Sequence, residues 1–263
     1  NFTHGDMVRP YLIAPKWAEG VKKAYGEASP FYQARVLGQF PKQGTDTLIP
    51  LQDIEDAQAR WYDMEDGSPK QMGVDVAWYG DDDTAFAIRY GGKVLPLEVM
   101  HGRDPMEVAG RAMILKRDHE LERVKVDMIG IGAGVYARLK EQTKGIVPID
   151  SARKSADAKK FVNFRAQMWA GFRLWLSDEE VGLPPDPELA AQLSSVKYKY
   201  NSRGQLVIES KEDMKKRGMA SPNKADAVVY AFADVGGIDL SDIEQPTAPS
   251  KWTDYEGGSR WRR

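Results

Sequence analysis

Cysteine is absent from the 263 residues, which excludes disulfide staples, thiolate zinc sites and cysteine nucleophiles together and suits a reducing compartment. Histidine is nearly absent as well: His4, His101 and His119 are the only three. They are far apart and form no ligand pattern, so histidine-metal nucleases and histidine-based triads are poorly supplied. Packing or surface roles are the economical reading of all three. No apolar run approaches the roughly 20 residues of a membrane span, and the N-terminal stretch "NFTHGDMVRPYLIAP" lacks a signal-peptide profile. A soluble chain with no membrane partner is expected. An excess of one charge is lacking too, with 37 Lys and Arg against 39 Asp and Glu. Nucleic-acid contact, if made, must come from local patches rather than a global basic field.

What is present is 42% hydrophobic content, enough for one main core with an attached arm. Asn1 in place of Met is what an excised piece of a longer chain would show. Residues 1 to 66 carry Pro and Gly punctuation around two short helical stretches, "PKWAEGVKKAYG" and "LQDIEDAQARWYD", and read as an arm or linker rather than a core. Residues 67 to 236 read as the principal domain and residues 237 to 263 as a flexible tail.

Inside the principal domain, "QMGVDVAWY", "TAFAIRYGG" and "KVLPLEVMH" read as three successive strands. A helix follows, opened by Asp104 with Pro105 at its first position. Then come the strand "VKVDMIGI", the helix "GVYARLKEQ", the strand "GIVPID" and a long helix "DAKKFVNFRAQMWAGFRLWL". This order describes an α/β fold, a mixed five-stranded sheet flanked by helices. "SSVKYKYNSRGQLVIES" adds a β-hairpin, and "SPNKADAVVYAFADV" a last helix capped by Ser221 with Pro222 in its first turn.

Three carboxylates break these patterns. Asp75 interrupts an apolar strand, on the face shared with Gly73 and Ala77 and opposite Val74 and Val76. Asp127 ends the apolar strand "VKVD", and Asp226 lies within an otherwise apolar helix. A buried carboxylate needs a cation, a donor or a metal. Carboxylates from three separate elements are what a pair of hard divalent cations requires, since Mg²⁺ and Mn²⁺ prefer oxygen ligands. Taken singly, each is equally an ordinary turn, cap or helix-dipole residue. The fold must bring the three together for the metal reading to hold.

At these residues the sequence resembles the C-terminal nuclease domain of tailed-bacteriophage terminase large subunits, which is ribonuclease H-like. The matching pieces are "MGVDVAWYGDDDTAF", "VDMIGIGAGVYARL", "FVNFRAQMWAGFRLWL" and "ESKEDMKKRGMASPNKADAVVYAF", in order and with matching spacing. Upstream, "SPFYQARVLGQFPKQGTDTLIP" resembles the segment that joins a terminase motor to its nuclease. The resemblance implies a metal-dependent endonuclease that cuts concatemeric double-stranded viral DNA during genome packaging. It places Asp75, Asp127 and Asp226 as metal ligands for two Mg²⁺ or Mn²⁺ ions when DNA is bound, with Lys211 on a neighbouring strand. It further implies the terminase motor (ATPase) domain, the small terminase subunit and the portal as partners. The location it implies is the host bacterial cytoplasm, transiently at the procapsid portal. Nothing in the chain fits G-x-x-x-x-G-K-[ST], so no ATP-hydrolysing motor is expected within it.

Other readings of the same letters stand beside this one. Gly132, Gly134 and Ala137 form a G-x-G-x-x-A arrangement between strand and helix, with Asp150 ending the next strand, which suits a dinucleotide site. Glu209 and Lys211 match the acidic-x-Lys element of restriction-type nucleases. An ATP-binding fold of the actin and sugar-kinase type shares the early Asp strand, and a non-catalytic DNA-docking module is also open. For DNA contact, Lys197, Lys199 and Arg203 on the hairpin and Arg153, Lys154, Lys159, Lys160 and Arg165 ahead of the long helix are the candidate phosphate-binding groups. An ordinary solvated hairpin and amphipathic helix are the bland equivalents.

Overall fold

The computed structural model describes residues 15–25, 30–38, 46–77 and 83–233. The helices α1 (Pro15–Tyr25), α2 (Pro30–Arg35) and α3 (Leu51–Arg60) precede a six-stranded sheet. Its strands are β1 (Lys70–Asp75), β2 (Asp83–Tyr90), β3 (Lys93–Val94), β4 (Glu98–His101), β5 (Arg123–Asp127) and β6 (Ile146–Ile149). Helix α4 (Pro105–Asp118) leads into β5, and α5 (Gly132–Gln142) joins β5 to β6. After β6 come α6 (Phe164–Ser177), α7 (Pro187–Ser195), the hairpin β7 (Tyr198–Tyr200) and β8 (Leu206–Ile208), α8 (Lys211–Lys216) and α9 (Asn223–Phe232).

The strand order is β3-β2-β1-β5-β6, with β4 also pairing with β2. β1 is antiparallel to β2 and parallel to β5, which is parallel to β6. This is the expected mixed sheet with one difference. "KVLPLEVMH" forms two short strands rather than one, interrupted around Pro96, so β4 is a sixth strand beside the five-strand path. Proline lacks the N–H that a continuous ladder needs.

Period-two alternation feeds two apolar layers, one on each face of the sheet. Met72, Val74, Phe86 and Ile88 pack with Val124, Val126 and residues of α4 and α5. The opposite face packs against α9, α6 and α7. Gly73 permits the closest approach there: a Cβ at this position would lie 2.0 Å from the Ala227 carbonyl oxygen. The far end of α9 is held by buried cations, Lys125 Nζ donating to the carbonyls of Ala231 and Ala233 and Arg89 Nε to that of Ala231. With both ends of the contact set, α9 lays its first turns over the carboxyl end of β1.

α4 starts as its sequence indicates, with Asp104 accepting from Met106 N and Glu107 N in a full capping box. Three expectations are corrected. The long helix begins at Phe164 rather than Asp157, because Asn163 caps it and residues 151–162 form a turn-rich loop. Ser221 does not cap α9: Pro222 holds that position, and Ser221 Oγ has no hydrogen-bond partner among the described residues. Part of the expected arm belongs to the core, since Leu48, Ile49, Ile54 and Ala57 are buried in the layer that holds α6 and α7. Residues 237 to 263, expected as a tail, lie outside the described residues.

Candidate active site

Asp75 ends β1, Asp127 ends the parallel neighbour β5, and Asp226 lies in the first turns of α9. Adjacent parallel strands bring Asp75 and Asp127 to one sheet edge, and the approach at Gly73 carries Asp226 onto it. All three are buried, Asp226 completely. Lys211 joins them: its Nζ stands 3.3 Å from Asp75 Oδ2 and 3.2 Å from Asp226 Oδ2. The lysine is the first residue of α8 and not part of a strand, a correction, and Ser210 caps that helix by accepting from Asp213 N.

Each carboxylate is held differently. Asp127 Oδ1 accepts from Ile129 N at 3.1 Å, in the turn ahead of α5. Asp226 Oδ1 accepts from the indole Nε1–H of Trp169 at 3.0 Å and faces Arg165 Nη2 at 3.6 Å. Asp226 Oδ2, among the described residues, meets only the Lys211 ammonium, at 3.2 Å. Burial pushes the Asp75 carboxyl up to about 7; Lys211 opposes this, while Asp226 and Asp127 add to it. Burial likewise raises Asp127 to about 6 against the pull of the Ile129 amide. For Lys211, burial works against the charged form, but Asp75 and Asp226 prevail and hold it above the ordinary lysine range.

The ligand set is oxygen-only, and one buried carboxylate oxygen, Asp226 Oδ2, is met by a cation instead of a neutral donor, which suits a hard divalent cation. As the side chains stand, no three acidic or histidine groups among the described residues form a ready-made metal cage. The Lys211 ammonium is instead the cation that Asp75 and Asp226 share.

The competing readings meet specific obstacles. The Gly132 turn closes tightly on the sheet, a Cβ there falling 1.8 Å from the Asp127 carbonyl oxygen. β5, α5 and β6 do form a parallel βαβ unit around that turn, but the strands before it, β1 and β2, are an antiparallel hairpin, whereas a dinucleotide fold continues in βαβ units. Glu209 is wholly buried in a two-point pair with Arg217, both contacts 2.7 Å, so it is not offered as a metal ligand. Asp150 accepts from the amides of Ala152 and Arg153, as a turn residue does. His101 pairs with Asp83 and His119 with the Tyr90 hydroxyl, away from any metal-ligand role.

The basic candidates divide. Arg153, Lys154 and Lys159 are exposed on the loop ahead of α6, Arg153 over the ring of Phe164. Lys160 is half-buried and 3.6 Å from Asp157, Lys199 is half-buried, and Arg203 is exposed at the hairpin turn. The loop and hairpin touch, through the Phe161–Leu206 bridge and a hydrogen bond from Gln205 to the Ala158 carbonyl. Lys197 is corrected: it turns inward and pairs with Asp46 at 2.9 Å, with 9% of its side chain exposed. Arg165, grouped with the surface cations on sequence, instead faces Asp226. Trp169 drew no notice in the sequence because an apolar helix accommodates a tryptophan as core; the signal was its N–H, which needs an acceptor when buried.

No protein-family model and no curated protein matches the chain. Solved structures do. The nuclease domain of the large terminase subunit gp2 of bacterial virus Sf6 matches with a TM-score of 0.61 at 21% identity, over 72% of this chain and 99% of that one. A mutant of that domain with manganese gives 0.59 at 22% identity over the same shares. The large terminase nuclease of thermophilic phage G20c with bound magnesium gives 0.50 at 20% identity, over 64% of this chain and 84% of that one. The chain has the ribonuclease H-like α/β fold of the nuclease domains of phage large terminase subunits.

Proposed function

We propose that the protein is a metal-dependent DNA endonuclease that cuts concatemeric double-stranded viral DNA during genome packaging. The observation that carries this reading is that Asp75 and Asp226 share the half-buried Lys211 ammonium at the sheet edge where Asp127 ends the neighbouring strand. The terminase nucleases of similar fold, solved with manganese and with magnesium, support the choice of chemistry.

Asp75, Asp127 and Asp226 would hold Mg²⁺ or Mn²⁺, two ions when DNA is bound. Such ions supply an activated water and charge compensation at the departing oxygen of a phosphodiester. The chain's own contribution is placement. Burial withholds solvent from the carboxylates, and the Ile129 and Trp169 donors orient two of them. Lys211 offsets their mutual repulsion. Arg153, Lys154, Lys159 and Arg203 form the DNA-facing surface, which gives sequence-independent affinity, with Lys199 and Lys160 at its margin. The terminase motor domain, the small subunit and the portal are the proposed partners, in the host cytoplasm and at the procapsid. A motor linker ahead of residue 46, rather than up to residue 66, and a tail after 236 belong to the same proposal, since Leu48, Ile49, Ile54 and Ala57 pack in the core.

Supercoiled plasmid nicking with Mg²⁺, Mn²⁺ or EDTA tests the reading on the unmodified chain and on folded Asp75→Asn, Asp127→Asn and Asp226→Asn variants. Metal-dependent nicking that drops at least about 100-fold in each variant is the expected result, as for loss of an essential catalytic group. DNA retention without cleavage under any metal would instead make the protein a docking module.

A further inference from the structure

The indole of Trp169 is fully buried, yet its N–H is spent on a carboxylate 57 residues away, at 3.0 Å from Asp226 Oδ1. Arg165 lies one turn earlier on the same face of α6, its guanidinium 5.7 Å from the Trp169 ring centroid. Arg165 is itself anchored, Nη1 donating to the Glu209 carbonyl oxygen at 2.5 Å, which directs Nη2 to within 3.6 Å of the same Asp226 Oδ1. Two cationic or donor groups thus serve one oxygen. The other, Oδ2, is buried and has the Lys211 ammonium at 3.2 Å as its neighbour.

A free aspartate can present either oxygen by rotating about χ2, and its two faces are equivalent until the surroundings distinguish them. Here α6 distinguishes them. We infer that Trp169 and Arg165 are positioning residues that lock the Asp226 carboxylate, so that Oδ2 alone faces the cation site. This rests on the proposed role of Asp226 as a metal ligand and goes beyond it by assigning its orientation to a second helix. Second-layer donors of this kind orient the primary ligand, and their loss commonly weakens metal binding by about 10–100-fold.

Trp169→Phe keeps an aromatic ring in the core and deletes only the donor. Mn²⁺ binding to the full chain is followed by the loss of the free-ion electron paramagnetic resonance signal. The expected result is affinity weakened by about 10-fold, with DNA affinity in EDTA unchanged. In the unmodified chain, the Trp169 indole ¹H–¹⁵N resonance, assigned by its disappearance in the variant, shifts on titration with Mg²⁺. A variant that melts lower but binds Mn²⁺ as tightly as the unmodified chain would show a purely structural tryptophan and overturn the inference. Should Trp169→Phe not fold, Arg165→Gln carries the same measurement, since it leaves the indole in place; unchanged Mn²⁺ affinity there overturns the inference equally. Absence of Mn²⁺ binding to the unmodified chain would overturn the metal reading of Asp226 itself, and the inference with it.

Discussion

Asp75 and Asp127 are carboxyl groups whose folded environment resists ionisation, at about 7 and about 6 against 3.8 for an ordinary aspartate. Burial dominates both shifts. A folded-state pKa above the unfolded value means that the folded chain binds the proton more tightly. The resulting stability is therefore full below about pH 4 and is lost as pH rises through about 6 to 7. In EDTA, this pair lowers the melting temperature across that window, and Asp75→Asn flattens the fall. Divalent ions compete with the same protons, so Mn²⁺ affinity should rise between pH 5.5 and pH 8; a calorimetric titration at the two pH values checks this. Equal affinity at both would mean that the metal does not contact these oxygens. Lys197 makes a contrasting case, a cation that alternation assigns to a surface. Its partner Asp46 is 151 residues away, so no local pattern announces the pair. Removing one member of a buried pair strands the other, and Lys197→Met should cost about 3 kcal/mol in urea unfolding. Lys154→Ala should instead leave stability unchanged and lower the salt slope of DNA binding by about 1.

The elements that carry the site were legible where the signal is local. Asp75 interrupts an apolar strand pattern and Asp127 ends one, and Asp104 with Pro105 opens α4 as written; the structure ends β1 at Asp75, short of the run to Tyr79. The same Asp-Pro opening recurs at Asp186 and Pro187, and Ser210 precedes Asp213 by three, so α7 and α8 carried start signals that the hairpin reading passed over. What no local signal reveals is the packing of α9 on β1. That contact depends on a missing side chain, Gly73, and on Arg89 and Lys125 reaching carbonyls more than 100 residues away. Gly73→Ala tests its importance. The added Cβ would meet the Ala227 oxygen at 2.0 Å and the Ala231 nitrogen at 2.5 Å, and both belong to backbone that cannot rotate away. Overpacking of this kind costs about 1–3 kcal/mol or more. Because relief requires α9 to lift from β1, Asp226 moves with it. Mn²⁺ affinity should then fall further in Gly73→Ala than in a surface variant of equal melting temperature.

At the scale of the molecule, the five-strand path of the sheet and its two apolar layers follow from alternation, whereas the sixth strand and the extent of the unit do not. Residues 46–64 read as linker because Pro, Gly and charge dominate their surroundings, yet Leu48, Ile49 and Ile54 are entirely buried. Their burial is tied to the body by polar bonds as well. The Leu183 amide donates to the Ala57 carbonyl, Arg60 Nη2 donates to the Val181 carbonyl, and Trp61 Nε1 to that of Val94 at 2.6 Å. A chain beginning at residue 67 would lose all of these and leave Lys197 buried without Asp46. Each large apolar side chain removed from such a layer forfeits about 1.5–3 kcal/mol, and several together rival the whole stability of a domain, about 5–15 kcal/mol. The shortened chain should therefore bind a hydrophobic dye and melt without a cooperative transition. A chain beginning at residue 46 should melt cooperatively near the temperature of the full chain. Equal, cooperative melting of both would return α3 to the status of an arm; the expected difference would move the boundary of the nuclease unit to the near side of Asp46.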